Sequence, residues 1–211
     1  VEAGTVMAQL TLTTFVTLDG VMQAPGAPDE DPSGGFGHGG WSVPYGDEEF
    51  GRFIVDVMER AGAFLLGRRT YDIFAGHWPQ RTDPADPIAS RLNALPKYVA
   101  STTLTDPAWA GTTVIGRSDL AADVRAVKDR TEGELQVHGS GQLAPFLLAH
   151  DLVDVLRLLV FPVVLGEGLR LFPEGARPTA FRHTGTRITA SGVTLNAYAF
   201  DGRPRYGSYA D

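Results

Sequence analysis

Residues 61–78, AGAFLLGRRTYDIFAGHW, constrain the fold of this chain more than any other stretch. The apolar run Ala63-Phe64-Leu65-Leu66 is too short for a helix and stops at Gly67, so it reads as a buried strand that turns at the glycine. After the turn, Tyr71, Ile73 and Phe74 fall on one face of a short helix. Arg68, Arg69 and Thr70 therefore occupy a strand-to-helix corner. The first N–H groups of a helix lack intrahelical partners and its dipole is positive there, so such a corner can hold an anion, and guanidinium groups add charge-assisted bonds to a phosphate. The same residues also fit an ordinary helix start with two arginines in solvent, and the motif alone does not separate the readings.

Composition narrows what the corner can serve. The 211 residues are 43% hydrophobic and 20% charged, which is a globular balance and suggests one domain of ordinary size. No apolar run approaches the roughly 20 residues of a membrane helix. The net charge of −7 comes without any cluster of Lys or Arg, which argues against nucleic acid and anionic membrane as partners and leaves room for a small anion held by local arginines. The absence of cysteine excludes disulfides, thiolate zinc sites and thiol nucleophiles, and the five histidines lack close metal-ligand spacing, so no metal is expected. Residues 1–6 precede Met7 without the pattern of a signal peptide, which predicts a cytoplasmic protein.

Along the chain, QLTLTTFV at 9–16 reads as a strand ending near Asp19-Gly20. Residues 21–46 are rich in Gly, Pro, Asp and Ser. Within them, 33–46 carries Phe36 and Trp41 and is expected to be a lid that closes over the site; disorder is the competing explanation. Asp47-Glu48-Glu49 opens a helix whose apolar positions are Phe50, Phe53, Ile54 and Val57, closing near Gly62. A short helix is expected at 88–95. Strands follow at 97–101, 112–116 and 134–138, with a helix at 119–130 capped by Ser118 or Asp119. This alternation predicts an α/β protein with a mostly parallel sheet. The apolar run 153–161 reads as a central strand, and 179–189 with 193–200 as antiparallel edge strands.

A second glycine corner lies at Gly139-Ser140-Gly141-Gln142-Leu143-Ala144, between a strand and a helix. It matches the spacing of a dinucleotide fingerprint, but it comes late in the chain and no acid ends the next strand as a Rossmann domain requires. A backbone able to approach a pyrophosphate remains, beside the plainer reading of a tight turn that needs glycine.

LTTFVTLDG, LLGRRTY, the Ser101-Thr102 strand end, and HGSGQL followed by FPVVLGEG occur in an order that resembles the dihydrofolate reductase-like fold. The resemblance is to the branch formed by the reductase domain of the bifunctional riboflavin-biosynthesis deaminase-reductase and its stand-alone bacterial relatives, and it spans 9–200. It implies a single reductase domain there, with 1–8 and 201–211 as flexible termini, and NADPH as cofactor. By resemblance, Gly67, Arg68, Thr70, Ser101 and Thr102 hold the adenosine-side phosphates, with Arg69 free to point into solvent. Gly139, Ser140, Gly141, Gln142 and Leu143 contact the pyrophosphate, and the nicotinamide lies near Thr17, Asp19 and Gly20. Glu49 on the first helix and Glu167 in LGEG are the candidate catalytic acids. A homodimer is implied.

The expected activity is hydride transfer from NADPH to a pterin, a pyrimidine or a similar heterocycle. The alternative is a non-catalytic nucleotide-binding or stress-response protein on the same fold.

Overall fold

The computed structural model describes residues 8–209. Among them, eight strands form one sheet: β1 (Gln9–Thr17), β2 (Ala61–Gly67), β3 (Lys97–Ala100), β4 (Thr112–Ile115), β5 (Glu134–His138), β6 (Val155–Phe161), β7 (Phe181–Ile188) and β8 (Thr194–Phe200), in the order β4-β3-β2-β5-β1-β6-β8-β7. The first six strands pair in parallel, and β8 and β7 close one edge antiparallel. Parallel neighbours require crossovers, supplied by α1 (Glu48–Glu59), α2 (Arg68–His77), α3 (Pro87–Ala94), α4 (Leu120–Arg130) and α5 (Leu143–Ala149). The architecture is thus the expected mixed α/β sheet with an antiparallel C-terminal edge.

Sheet order matters more to function than any single element. Strand β5 inserts between β1 and β2, pairing Leu12 with Val137 on one side and Phe64 with Gln136 on the other. The corners that follow β2 and β5, far apart in sequence, therefore emerge side by side at the carboxyl edge of the sheet, where open α/β sheets bind ligands.

The helices begin where their caps stand. Asp47 accepts the Phe50 N–H at 2.8 Å and opens α1. Asp86 accepts from Ile88 and Ala89 N–H, with Pro87 at the first helical position of α3. Of the two caps proposed for α4, Asp119 fills the role, accepting the Ala122 N–H at 3.0 Å. Helix α1 stops at Glu59 because β2 already begins at Ala61. At the far end of α3, the buried Lys97 ammonium donates to the Leu92 and Leu95 carbonyls at 2.8 and 2.7 Å, satisfying helix-end acceptors that would otherwise be buried and unpaired.

Two expectations change. Phe36 and Trp41 are core residues, 6% and 7% exposed, packed with Phe161 of β6 and Val193 of the β7–β8 turn, and the Trp41 indole donates to the Gln23 carbonyl at 2.7 Å. They cover a face of β6 and β8, so their burial needs no closure over the site. Gly168 makes room for this packing, since a Cβ there would stand 2.7 Å from the Phe36 ring. The C-terminal tail also begins anchored: Asp201 N–H donates to Ala180 at 2.9 Å, and Arg203 pairs with Asp151. At the other end Ala8 is buried and its N–H donates to Lys128 at 3.2 Å, while the rest of the proposed N-terminal tail, 1–7, lies outside the described residues. No helix among the described residues is long and apolar enough to cross a membrane.

Candidate cofactor and substrate site

The two corners are tied together by hydrogen bonds. Gly67 N–H donates to Ser140 Oγ at 3.0 Å, Ser140 N–H donates to Thr70 Oγ1 at 3.2 Å, and Ser140 Oγ donates to the His138 carbonyl at 3.1 Å. Gly139 and Ser140 both take left-handed backbone, φ 55° and 60°, which turns the chain sharply out of β5. Gly67 precedes α2 without a side-chain cap, so the first N–H groups of that helix are left for another acceptor.

A cavity of about 400 Å³ opens beside these corners. One half is mainly polar: the corner residues Gly67, Arg68, Arg69 and Thr70, the 139–142 turn, and the loop residues Gln23, Glu30 and Asp31, with the apolar Leu143 beside them. The other half is apolar, walled by Ile54 and Met58 of α1, Ile73 and Phe74 of α2, and Trp78 and Ile88 beyond it. Of the residues expected from sequence to touch a cofactor, Gly67, Arg68, Thr70, Gly139, Ser140, Gly141, Gln142 and Leu143 line this one cavity.

Both arginines start paired, and only Arg69 departs from expectation. Arg68 Nε meets both Asp72 oxygens at 2.9 Å, an exposed pair one turn along α2. Arg69, expected to point into solvent, instead reaches Asp31 Oδ2 at 2.7 Å and Ser33 Oγ at 2.9 Å, clamping the 22–33 loop to α2. The sequence carries no sign of this bond, because its partners are 38 and 36 residues apart.

Several candidates stand outside the cavity wall. Thr17 and Asp19 form a staple, with Thr17 Oγ1 donating to Asp19 Oδ1 at 2.5 Å and Asp19 accepting Gly166 N–H at 2.8 Å. The Thr17 hydroxyl and these N–H groups hold the Asp19 carboxyl down to about 2, so it stays ionised as a loop anchor. Gly20, φ 82°, turns the chain beside that staple. Ser101 Oγ accepts Thr103 and Leu104 N–H at 3.2 and 3.0 Å, and Thr102 beside it is exposed. Their strand end lies next to Gly67, since Ala100 is Gly67's register partner, and Arg117 joins it by donating to the Leu104 carbonyl at 2.7 Å. Glu49 sits in the first turn of α1, where an acid suits the helix dipole, and the α1 residues that reach the cavity are Ile54 and Met58. Glu167 is exposed and pairs with His38 at 3.3 Å.

The cavity's carboxylates are instead Glu30 and Asp31. Burial pushes the Glu30 carboxyl up, against the lowering effect of Gly26 and Ala27 N–H, which donate to it at 2.5 and 3.1 Å. Sequence reading passed over these acids because APDEDP looks like any polar loop. It also passed over Thr13 and His138, both buried and both in the cavity wall, although His138 stands immediately before the glycine turn.

The sheet order and the paired corners define the dihydrofolate reductase-like fold. Within it, the chain belongs to the RibD C-terminal domain family, matched over residues 8–195, a family of reductases. It is 25% identical over 196 residues to YyaP, an uncharacterised protein of Bacillus subtilis (strain 168), covering 92% of this chain and 96% of that one. Among solved structures it resembles a putative riboflavin biosynthesis protein from Shewanella sp. PV-4, with TM-score 0.61, 23% identity, and 92% and 99% of the two chains covered. It also resembles dihydrofolate reductase from Enterococcus faecalis complexed with NADP(H), with TM-score 0.59, 14% identity, and 93% and 99% covered.

Proposed function

We propose that residues 9–200 form one reductase domain that binds NADPH and passes hydride to a flat heterocycle of the pterin or pyrimidine kind, working in the cytoplasm as a homodimer. The observation that carries this reading is the convergence of two uncapped glycine corners and two arginines on a single cavity whose other half is apolar. The residues fit a dinucleotide. A Cβ on Gly141 would have no neighbour closer than Met22 Sδ at 3.8 Å, so the glycine leaves a shelf where a pyrophosphate can approach the backbone. Arg68 and the nearby Ser101-Thr102 strand end, where Thr102 is exposed, provide donors for a 2′-phosphate, with Arg117 as a third.

Bound NADPH would supply the hydride, and the protein does the rest. Ile54, Met58, Phe74 and Trp78 provide flat apolar surface that excludes water from the acceptor ring. Glu30 is the cavity carboxyl that burial pushes toward the protonated form, which fits it better than Glu49 or Glu167 to supply a proton. The test is to titrate the protein with NADPH and NADH, then screen dihydrofolate and ribosylamino-pyrimidines for cofactor oxidation. Failure to bind NADPH sinks the reading. Binding without turnover of any heterocycle favours the non-catalytic alternative.

A further inference from the structure

Two polar residues of the sheet also line the cavity, on the face where Gln136 of β5 reaches the Val57 carbonyl of α1, the helix that carries Ile54 and Met58. Thr13 on β1 and His138 on β5 are register partners on adjacent parallel strands, so their side chains leave the same face of the sheet. Both line the cavity, and they are only 2% and 9% exposed. Thr13 Oγ1 is buried and has no hydrogen-bond partner among the described residues. Buried hydroxyls without partners are rare because the lost hydration is uncompensated, so one in a cavity wall points to a partner that enters from outside.

The state of His138 is set from below. Glu134, Gln136 and His138 alternate along β5 on that same face. Glu134 is held by both Arg157 nitrogens at 2.9 and 2.7 Å and by Arg60 at 3.1 Å. Gln136 Nε2 donates to Glu134 Oε2 at 2.9 Å and to the Val57 carbonyl at 2.6 Å, which uses both amide hydrogens and orients the group. Its Oε1 then lies 3.0 Å from His138 Nε2. An amide oxygen only accepts, so Nε2 must carry the hydrogen. Burial, helped by the Arg157 cation and opposed by Glu134, holds the imidazole down to about 4, which leaves it neutral near pH 7. Nδ1 is then a bare acceptor, with no partner among the described residues.

We infer that Thr13 and His138 read the edge of the bound ring: His138 Nδ1 accepts a ring N–H and the Thr13 hydroxyl donates to the adjacent carbonyl, selecting neutral lactam-type heterocycles. Gln136 is the positioning residue that fixes the tautomer. A carboxylate on this face would instead favour a protonated amidine edge, but the cavity's two carboxylates, Glu30 and Asp31, both belong to the 22–33 loop. The inference rests on the proposed function only in taking the apolar half as the place of the heterocycle.

The probes are isoquinolin-1(2H)-one, a flat bicyclic lactam, and its N-methyl derivative, titrated into the full chain without cofactor. The parent should bind the N–H lactam about tenfold more tightly, since the methylated ring leaves a buried acceptor unpaired. Thr13→Val, nearly isosteric, and His138→Phe should bring the ratio toward about one. Long-range 1H–15N spectra of the parent should place the His138 hydrogen on Nε2. In Gln136→Leu the two tautomers should mix and the probe preference should fall, a signature that a merely structural glutamine would not produce. Equal binding of both probes by the parent, binding of neither, or a parent His138 carrying its hydrogen on Nδ1 overturns the inference. NADPH titration separates the two readings: a parent that prefers the N–H lactam but ignores NADPH loses only the reductase assignment, and one that binds NADPH without the preference loses only this inference.

Discussion

The two halves of the cavity are built on different principles. The polar half is made mainly of backbone: two turns at strand ends, the open N-terminus of α2 and arginines at its rim. The apolar half is made of side chains from α1, α2 and the residues beyond, and Thr13 and His138 join the lining from the sheet face that packs on α1. Backbone recognition suits a ligand part common to many proteins, such as a phosphate, whereas side chains set what is particular to one substrate. A change in one half should therefore leave the ligand of the other largely untouched.

The sharpest way to break that contrast is Gly141→Val. The fold has space, because a Cβ would meet only Met22 and Leu169 side-chain atoms at 3.8–3.9 Å, yet the side chain would fill the proposed pyrophosphate shelf. NADPH affinity should fall by roughly 100-fold or more, with the melting temperature nearly unchanged. Titration with calorimetric melting checks this, and unaltered affinity would remove the pyrophosphate from this corner.

An acid titration probes the other half. His138 titrates at about 4 in the folded chain against 6.5 when free, so between those values the folded state binds fewer protons than the unfolded state. Its contribution is intact above the unfolded value and is lost as pH falls through the window. Between about pH 7 and about pH 5 this group should cost about 2 kcal/mol, roughly 20-fold in the folding equilibrium. Asp19, lowered to about 2 from 3.8, loses its contribution only at lower pH and does not mask the effect. Denaturant midpoints at the two pH values should show His138→Phe less acid-sensitive than the parent by this amount.

Arg68→Ala should weaken NADPH about tenfold and NADH little, with the difference shrinking as salt rises. Because Arg68 starts paired with Asp72, Asp72→Asn should strengthen NADPH binding by a few fold. Equal weakening of both cofactors by Arg68→Ala would mean that the arginine serves the shared pyrophosphate or the fold. The smallest effect is expected from Arg69→Ala. Its bond to Asp31 is partly exposed, so amide exchange of residues 22–33 should quicken by a few fold while Trp41 and its surroundings stay protected.

Legibility followed the same division. The corners at 67–70 and 139–143 could be read because glycine, a preceding apolar run and a following helix are all local. Glu49 and Glu167 could not be weighed in that way. An acid at a helix start has a complete explanation in the dipole, and an acid in a glycine turn has one in solvation, so neither position says whether it faces a ligand. The packing of 33–46 was illegible for a related reason. Glycine-rich composition looks mobile in sequence, whereas Phe36 and Trp41 are held by Phe161, more than a hundred residues away in the chain.

By itself the sequence determined the order and kind of the elements and the two glycine corners, because strand and helix periods, caps and turns depend on residues a few positions apart. Only the tertiary structure decided that β5 lies between β1 and β2, that the corners share one cavity, that Arg69 holds Asp31, and that Gln136 Oε1 stands 3.0 Å from His138 Nε2. Each of these is a contact between groups distant in the chain. The free energy that selects them comes from packing the whole sheet and its buried polar row, and no local pattern encodes it.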